Sequence, residues 1–161
     1  MQIRRKHHAA DLPRGGHSEP RFRRSDHLHR LLEKPCDKLD IHFCFDSDKI
    51  HFQPEDVTDA LIQSTKDEVN QNYGFLPDAV AAKDIILKSM KTEIHTLATL
   101  NDTFIGCIHR QLTDRHMRFD GENTTPGCVP QTHFEGVLKV TVLVFNVIKD
   151  TTHYALTVSG E

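Results

Sequence analysis

The sequence predicts an α+β domain, two helices packed on an antiparallel β-sheet, behind a basic N-terminal arm. Three observations predict it: period-two alternation over residues 39–45, two consecutive helical apolar stripes between 54 and 100, and an almost unbroken apolar or β-branched run over 137–148. A chain of 161 residues suffices for one core plus a tail.

Residues 1–34 hold nine Lys/Arg and four Asp/Glu, a formal +5. Of the chain's 20 basic and 23 acidic residues, eleven and nineteen remain for 35–161, a formal −8. The front segment mixes Arg, His, Gly and Pro with few large apolar residues, so residues 1–35 are expected to be a disordered basic arm and 36–161 the folded domain. Within the arm, Leu28, Leu31 and Leu32 suggest a helical turn or two over 25–33.

In the body, Leu39, Ile41, Phe43 and Phe45 alternate with Asp40, His42 and Cys44, the pattern of a half-buried strand. A short extended piece at 50–52 leads to Pro54, where Glu55 and Asp56 complement a helix start and Val57, Leu61, Thr65 and Val69 recur every fourth residue up to Asn72-Tyr73-Gly74. Pro77-Asp78 opens a second helix with Ile86, Met90, Ile94 and Leu97 as its buried stripe and Asn101-Asp102 as its stop. Residues 104–112 and 117–119 read as two strands of a hairpin turning at Thr113-Asp114, and 121–130 as loop. Extended residues 132–134, a central strand at 137–148 and an edge strand at 154–158 complete a meander.

Phe52-x-Pro54-x-x-Val57 followed by Leu61, Lys66-Asp67-Glu68-Val69 and Tyr73 forms one run of matching residue types. Met90, Ile94 and Leu97 leading into Phe104-Ile105-x-Cys107-Ile108 form a second, and Phe119-Asp120 and Phe134 with 138–145 follow. Together they resemble, over residues 50–148, the Tctex-type dynein light chain family, where a Trp-Asp pair stands in place of Phe119-Asp120. The hairpin at 104–119 is shorter than that family's, and 149–161 run past its usual end. The resemblance implies two helices on a four-stranded sheet, a dimer formed by strand exchange, and a partner segment, a dynein intermediate chain, bound along a sheet edge. It also implies a cytoplasmic setting on microtubules or in a ciliary axoneme.

The chemistry in the sequence favours a binding module over an enzyme. No phosphate-cradling glycine loop, nucleophile elbow or HExxH helix is present. Asp46-Ser47-Asp48 begins like a calcium loop, but His51 and Val57 occupy the positions that need Gly and Glu. Of the 12 histidines, His7-His8 and His27-x-His29 fall in the arm, and the best cluster is Cys107, His109, Asp114 and His116, which a 104–119 hairpin would gather. Alternation puts Cys107 and His109 on one face and leaves His116 undetermined, so no metal or other cofactor is expected. The four cysteines fit no Cys-x-x-Cys spacing and, with no apolar leader near Met1, are expected to be reduced thiols in the cytosol; no stretch has a membrane span's length.

The expected function is that of a light-chain or adaptor subunit, a homo- or heterodimer, binding its protein partner at a sheet edge around Met117, Arg118, Phe119, Thr132 and Phe134. The alternative is a nucleic-acid-associated or ribonucleoprotein subunit using Arg4, Arg5, Lys6, Arg21, Phe22, Arg23 and Arg24, where Phe22 can stack on a base. A viral or phage structural subunit with an assembly tail is a third reading.

Overall fold

The computed structural model describes residues 2–7, 24–109, 112–149 and 152–161. Its elements run β1 (Gln2–His7), β2 (Arg24–Cys36), β3 (Leu39–Phe45), α1 (Asp59–Tyr73), α2 (Ala79–Ser89), β4 (Glu93–Leu100), β5 (Thr103–Ile108), β6 (Asp114–Phe119), β7 (Phe134–Asn146) and β8 (Tyr154–Gly160). The fold is α+β, with its strands in two four-stranded sheets ordered β1-β8-β3-β6 and β2-β7-β4-β5. Every paired strand is antiparallel.

The two sheets enclose one core. Ile41, Phe43 and Phe119 come from the first sheet, and Ile94, Val140 and Val142 from the second. Full burial of such side chains stabilises by about 1.5–3 kcal/mol each, so this interior outweighs the smaller set that the helices bury. That set is Thr65 and Val69 on α1 with Ala82 and Ile86 on α2.

The helices form where their caps demand. Thr58 Oγ1 accepts from Leu61 N–H at 3.2 Å to start α1, and left-handed Gly74, with φ 72°, ends it. Asp78 accepts from Ala81 N–H at 2.7 Å to start α2. Pro54 opens a 3-10 turn at Pro54–Asp56 rather than α1 itself, because Thr58 is the residue with extended backbone and a free hydroxyl at the right offset.

Several expectations from the sequence are corrected. Residues 25–33 lie in β2, not in a helical turn, and backbone at both 2–7 and 24–36 is strand rather than structureless arm. Leu28 and Leu32 pack on the core from alternate positions while Leu31 points away; their spacing of four suits a strand as well as a helix, and the long partner β7 decides it. The second helix stops at Ser89. Thr92, Ile94, Thr96, Ala98 and Leu100 are buried in strict alternation, so Ile94 belongs to the inner face of β4 and Leu97 to the opposite one.

Asn101-Asp102 is therefore a two-residue hairpin turn joining β4 to β5, both residues having positive φ (50° and 64°). β5 and β6 are not a hairpin, because one pairs with β4 and the other with β3, in different sheets. β7 is central as expected, but begins at Phe134 and absorbs the separate piece expected there. β8 is not an edge strand; it lies between β1 and β3. In place of the single sheet that the resemblance implies, there are two.

Asn101 also locks the turn to β7. Its Nδ2 donates to Glu135 O at 2.8 Å, its Oδ1 accepts from Val137 N–H at 2.8 Å, and its own N–H donates to Val137 O at 2.9 Å. Gly136, between those partners, has φ +106°, and a Cβ there would meet Asn101 Oδ1 at 2.1 Å. Gly136→Ala should therefore destabilise the domain by about 2 kcal/mol or more in urea unfolding, since it adds backbone strain and dislodges the Asn101 amide.

Candidate functional site

A module that binds an extended segment needs an uncovered strand edge. The terminal strands are β1 and β6 of the first sheet and β2 and β5 of the second. On the side bearing β5 and β6 the chain's own loop covers Arg118 of β6 and Ile105 and Cys107 of β5. Thr125 N–H donates to Arg118 O at 2.8 Å and Thr125 Oγ1 accepts from Arg118 N–H at 3.0 Å, occupying β6. Gly127 O accepts from Cys107 N–H at 3.0 Å, and Val129 N–H donates to Ile105 O at 2.7 Å, occupying β5. Gly127 is required there: its φ is +95° and a Cβ would stand 2.7 Å from Cys107 O. The segment read as loop by composition is thus an edge cover.

Of the edge residues expected from the sequence, Met117, Phe119 and Phe134 are fully buried in the core and offer no side chain to a partner. Arg118 is exposed, but its backbone is taken by Thr125 and its Nε stands 3.7 Å from Asp40 Oδ1. Thr132 is exposed in the connection before β7.

The opposite side differs. β2, 13 residues long, pairs with β7 from Arg24↔Val144 to Leu32↔Gly136 before its register shifts. It is the terminal strand of its sheet, and among the described residues no strand pairs with its outer side. Leu31 is 59% exposed and stands across from Val137, 44% exposed, an apolar pair on the outer face. Lys34 and Pro35 follow, a charge and a missing N–H that limit strand addition to residues 24–32.

The basic residues of the expected arm are divided. Arg4, Arg5 and Lys6 lie on β1, across from Thr157, Leu156 and Ala155 of β8. Arg24 opens β2, while Arg21, Phe22 and Arg23 lie outside the described residues.

The cluster weighed and set aside in the sequence, Cys107, His109, Asp114 and His116, is divided: Cys107 is on β5 and His109 just beyond it, whereas Asp114 and His116 are on β6 beside β3. The His109 ring instead lies 5.9 Å from that of His95. The sequence had shown the β3 alternation that presents His42 and Cys44 outward; what it lacked was the pairing of β3 with β6. Cys107 stands beside Cys128: burial pushes the Cys128 thiol up to about 11, helped by Cys107, and burial raises Cys107 as well. Thiols so placed stay protonated at neutral pH and are poor nucleophiles.

Residues 28–160 match a family of unknown function, DUF6669. The chain belongs to the DUF6669 family. No curated protein and no solved structure matches it. The family's span begins inside β2, where Leu28 and Leu32 pack against the core. No helix among the described residues is long and apolar enough to cross a membrane.

The buried thiol gives a pH dependence. Cys128 titrates near 11 in the fold against 9.0 ordinarily, so between these values the unfolded chain has already lost the proton that the native state keeps. The stability from the protonated thiol is complete below pH 9 and falls as pH rises toward 11. Urea unfolding across pH 8–11 should show that decline, and Cys128→Ala should flatten it.

Proposed function

We propose that this domain is a non-catalytic adaptor that binds an extended protein segment by strand addition along β2. The observation that carries the reading is the asymmetry of the sandwich, one side covered at Arg118, Ile105 and Cys107 by residues 125–129 and the other ending in a long regular strand. Backbone pairing along 24–32 would supply affinity, and the exposed Leu31–Val137 pair would select an apolar residue in the partner. A second copy pairing β2 with β2 would give a homodimer by the same chemistry.

The narrower form of this proposal is a dynein light-chain role, with an intermediate chain as partner in a cytoplasmic or axonemal motor complex. It is supported by the residue pattern from Phe52 to Tyr73 and by the succession of α1 and α2 before β4 to β7. The nucleic-acid reading has its own support: the basic strand β1 and the start of β2 are both terminal strands remote from the covered side.

Fluorescence anisotropy with a labelled dynein intermediate-chain segment, and separately with a labelled generic RNA, tests these readings on the full chain. Saturable peptide binding that weakens about tenfold or more in Leu31→Lys, with an unchanged melting curve, is expected, since an edge lysine opposes strand addition. Peptide binding indifferent to Leu31→Lys would place the partner elsewhere and overturn the β2 reading. Silence of the peptide with RNA binding that falls steeply with salt and with Arg4, Arg5 and Lys6 replaced by Ala would establish the basic strands as the functional element.

A further inference from the structure

We propose that the outward face of β3 and β6 is a transition-metal site of zinc type, with His42, Cys44, Asp114 and His116 as ligands and Asp40 as the group that orients His116. The inference does not depend on the adaptor reading.

Residues 39, 41, 43 and 45 of β3 and 115, 117 and 119 of β6 face the core, so Asp40, His42 and Cys44 stand outward beside Arg118, His116 and Asp114. Arg118 turns its N–H and C=O away from β3 toward Thr125. By alternation the pairs Asp40↔Arg118, His42↔His116 and Cys44↔Asp114 are therefore the non-hydrogen-bonded kind, in which Cα atoms approach to about 4.5 Å and side chains crowd together. Accordingly, the rings of His42 and His116 stack at 4.2 Å between centroids and only 5° from parallel.

The donor atoms converge on Asp114. Its Oδ1 lies 3.2 Å from His42 Nε2 and 4.0 Å from His116 Nε2. Ligand atoms of His42, Cys44 and Asp114 all lie within 4.8 Å of one another. Bond lengths of about 2.0–2.3 Å at tetrahedral angles imply donor separations of roughly 3.3–3.7 Å. Because the two rings lie parallel and an imidazole ligates in its own plane, His42 must turn out of the stack to share an ion with His116, which keeps its bond to Asp40.

His116 is already oriented as a ligand. Its Nδ1 is 2.9 Å from both oxygens of Asp40, which assigns the ring proton to Nδ1 and leaves the Nε2 lone pair facing the Asp114 side. A carboxylate that holds a histidine in this way is the usual outer support of a zinc ligand. Across the other side of β3, His42 and Cys44 face Thr157 and Ala155 of β8, which bring no charge. Asp114 is 66% exposed, so an ion has a path in. Two imidazoles, a thiolate and one carboxylate select a borderline-soft ion over calcium or magnesium, which take oxygen ligands.

The test is titration of the reduced full chain with Co2+ as a spectroscopic stand-in and with Zn2+ against a chromophoric chelator. One Co2+ equivalent with a thiolate-to-metal charge-transfer band is expected, displaced by Zn2+. Cys44→Ser should remove the band, Cys128→Ser should keep it, and Asp40→Asn should weaken Zn2+ binding about 10- to 100-fold. Circular dichroism of each variant keeps folding separate from binding. Absence of a thiolate band in the wild-type chain, or a band that survives Cys44→Ser, overturns the proposal. So does Zn2+ affinity unchanged by His42→Ala in a folded protein, which would leave these groups as a hydrogen-bonded surface network.

Discussion

Arg115 stands on β6 with its side chain in the interior, where it ties one sheet to the other. Its Nε donates to Thr96 Oγ1 at 2.9 Å and its Nη2 donates to Ile94 O at 2.6 Å, both on β4, and its guanidinium carbon lies 4.4 Å from the centre of the Phe43 ring. Burying a cation costs several kcal/mol of hydration. Hydrogen bonds to a charged group contribute about 1.5–3 kcal/mol each and the ring face adds to them, so the cost is offset only if these contacts are all made. Burial pushes the Arg115 pKa down to about 10, which still leaves it a cation at neutral pH.

That requirement sets the register of β6. A slip of one residue would turn Arg115, Met117 and Phe119 out to water together and bring Asp114 and His116 into an apolar interior beside Phe43. With Arg115 inward, Asp114, His116 and Arg118 must face outward, next to Asp40, His42 and Cys44. The same choice turns the backbone of Arg118 toward Thr125, which lets the 125–129 segment bridge from β6 to Ile105 and Cys107 of β5.

The sequence made the strand at 39–45, the end of α1 at Gly74, the start of α2 at Asp78 and the central β7 legible, because apolar spacing and turn residues there agree. It misled where a spacing of four satisfies two periods, as at Leu28 and Leu32, and where Ile94 extended a helical stripe although Thr92, Thr96, Ala98 and Leu100 supply a better period of two. Asp114-Arg115-His116 was opaque for another reason. Three successive polar residues give no inward face, and only the partners Thr96, Ile94 and Phe43, distant in sequence, decide that Arg115 is the buried one. The outer cluster was correspondingly half visible: Asp40-x-His42-x-Cys44 can be read from β3, whereas its pairing with β6 depends on non-local sheet order.

The most direct measurement is a double-mutant cycle between the sheets, Arg115→Met, Thr96→Val and both together, read as unfolding free energies in urea. A cation holding the sheets in register predicts a coupling of about 1–3 kcal/mol between the two positions. Additivity within about 0.5 kcal/mol would contradict that account and leave apolar packing alone to join the sheets.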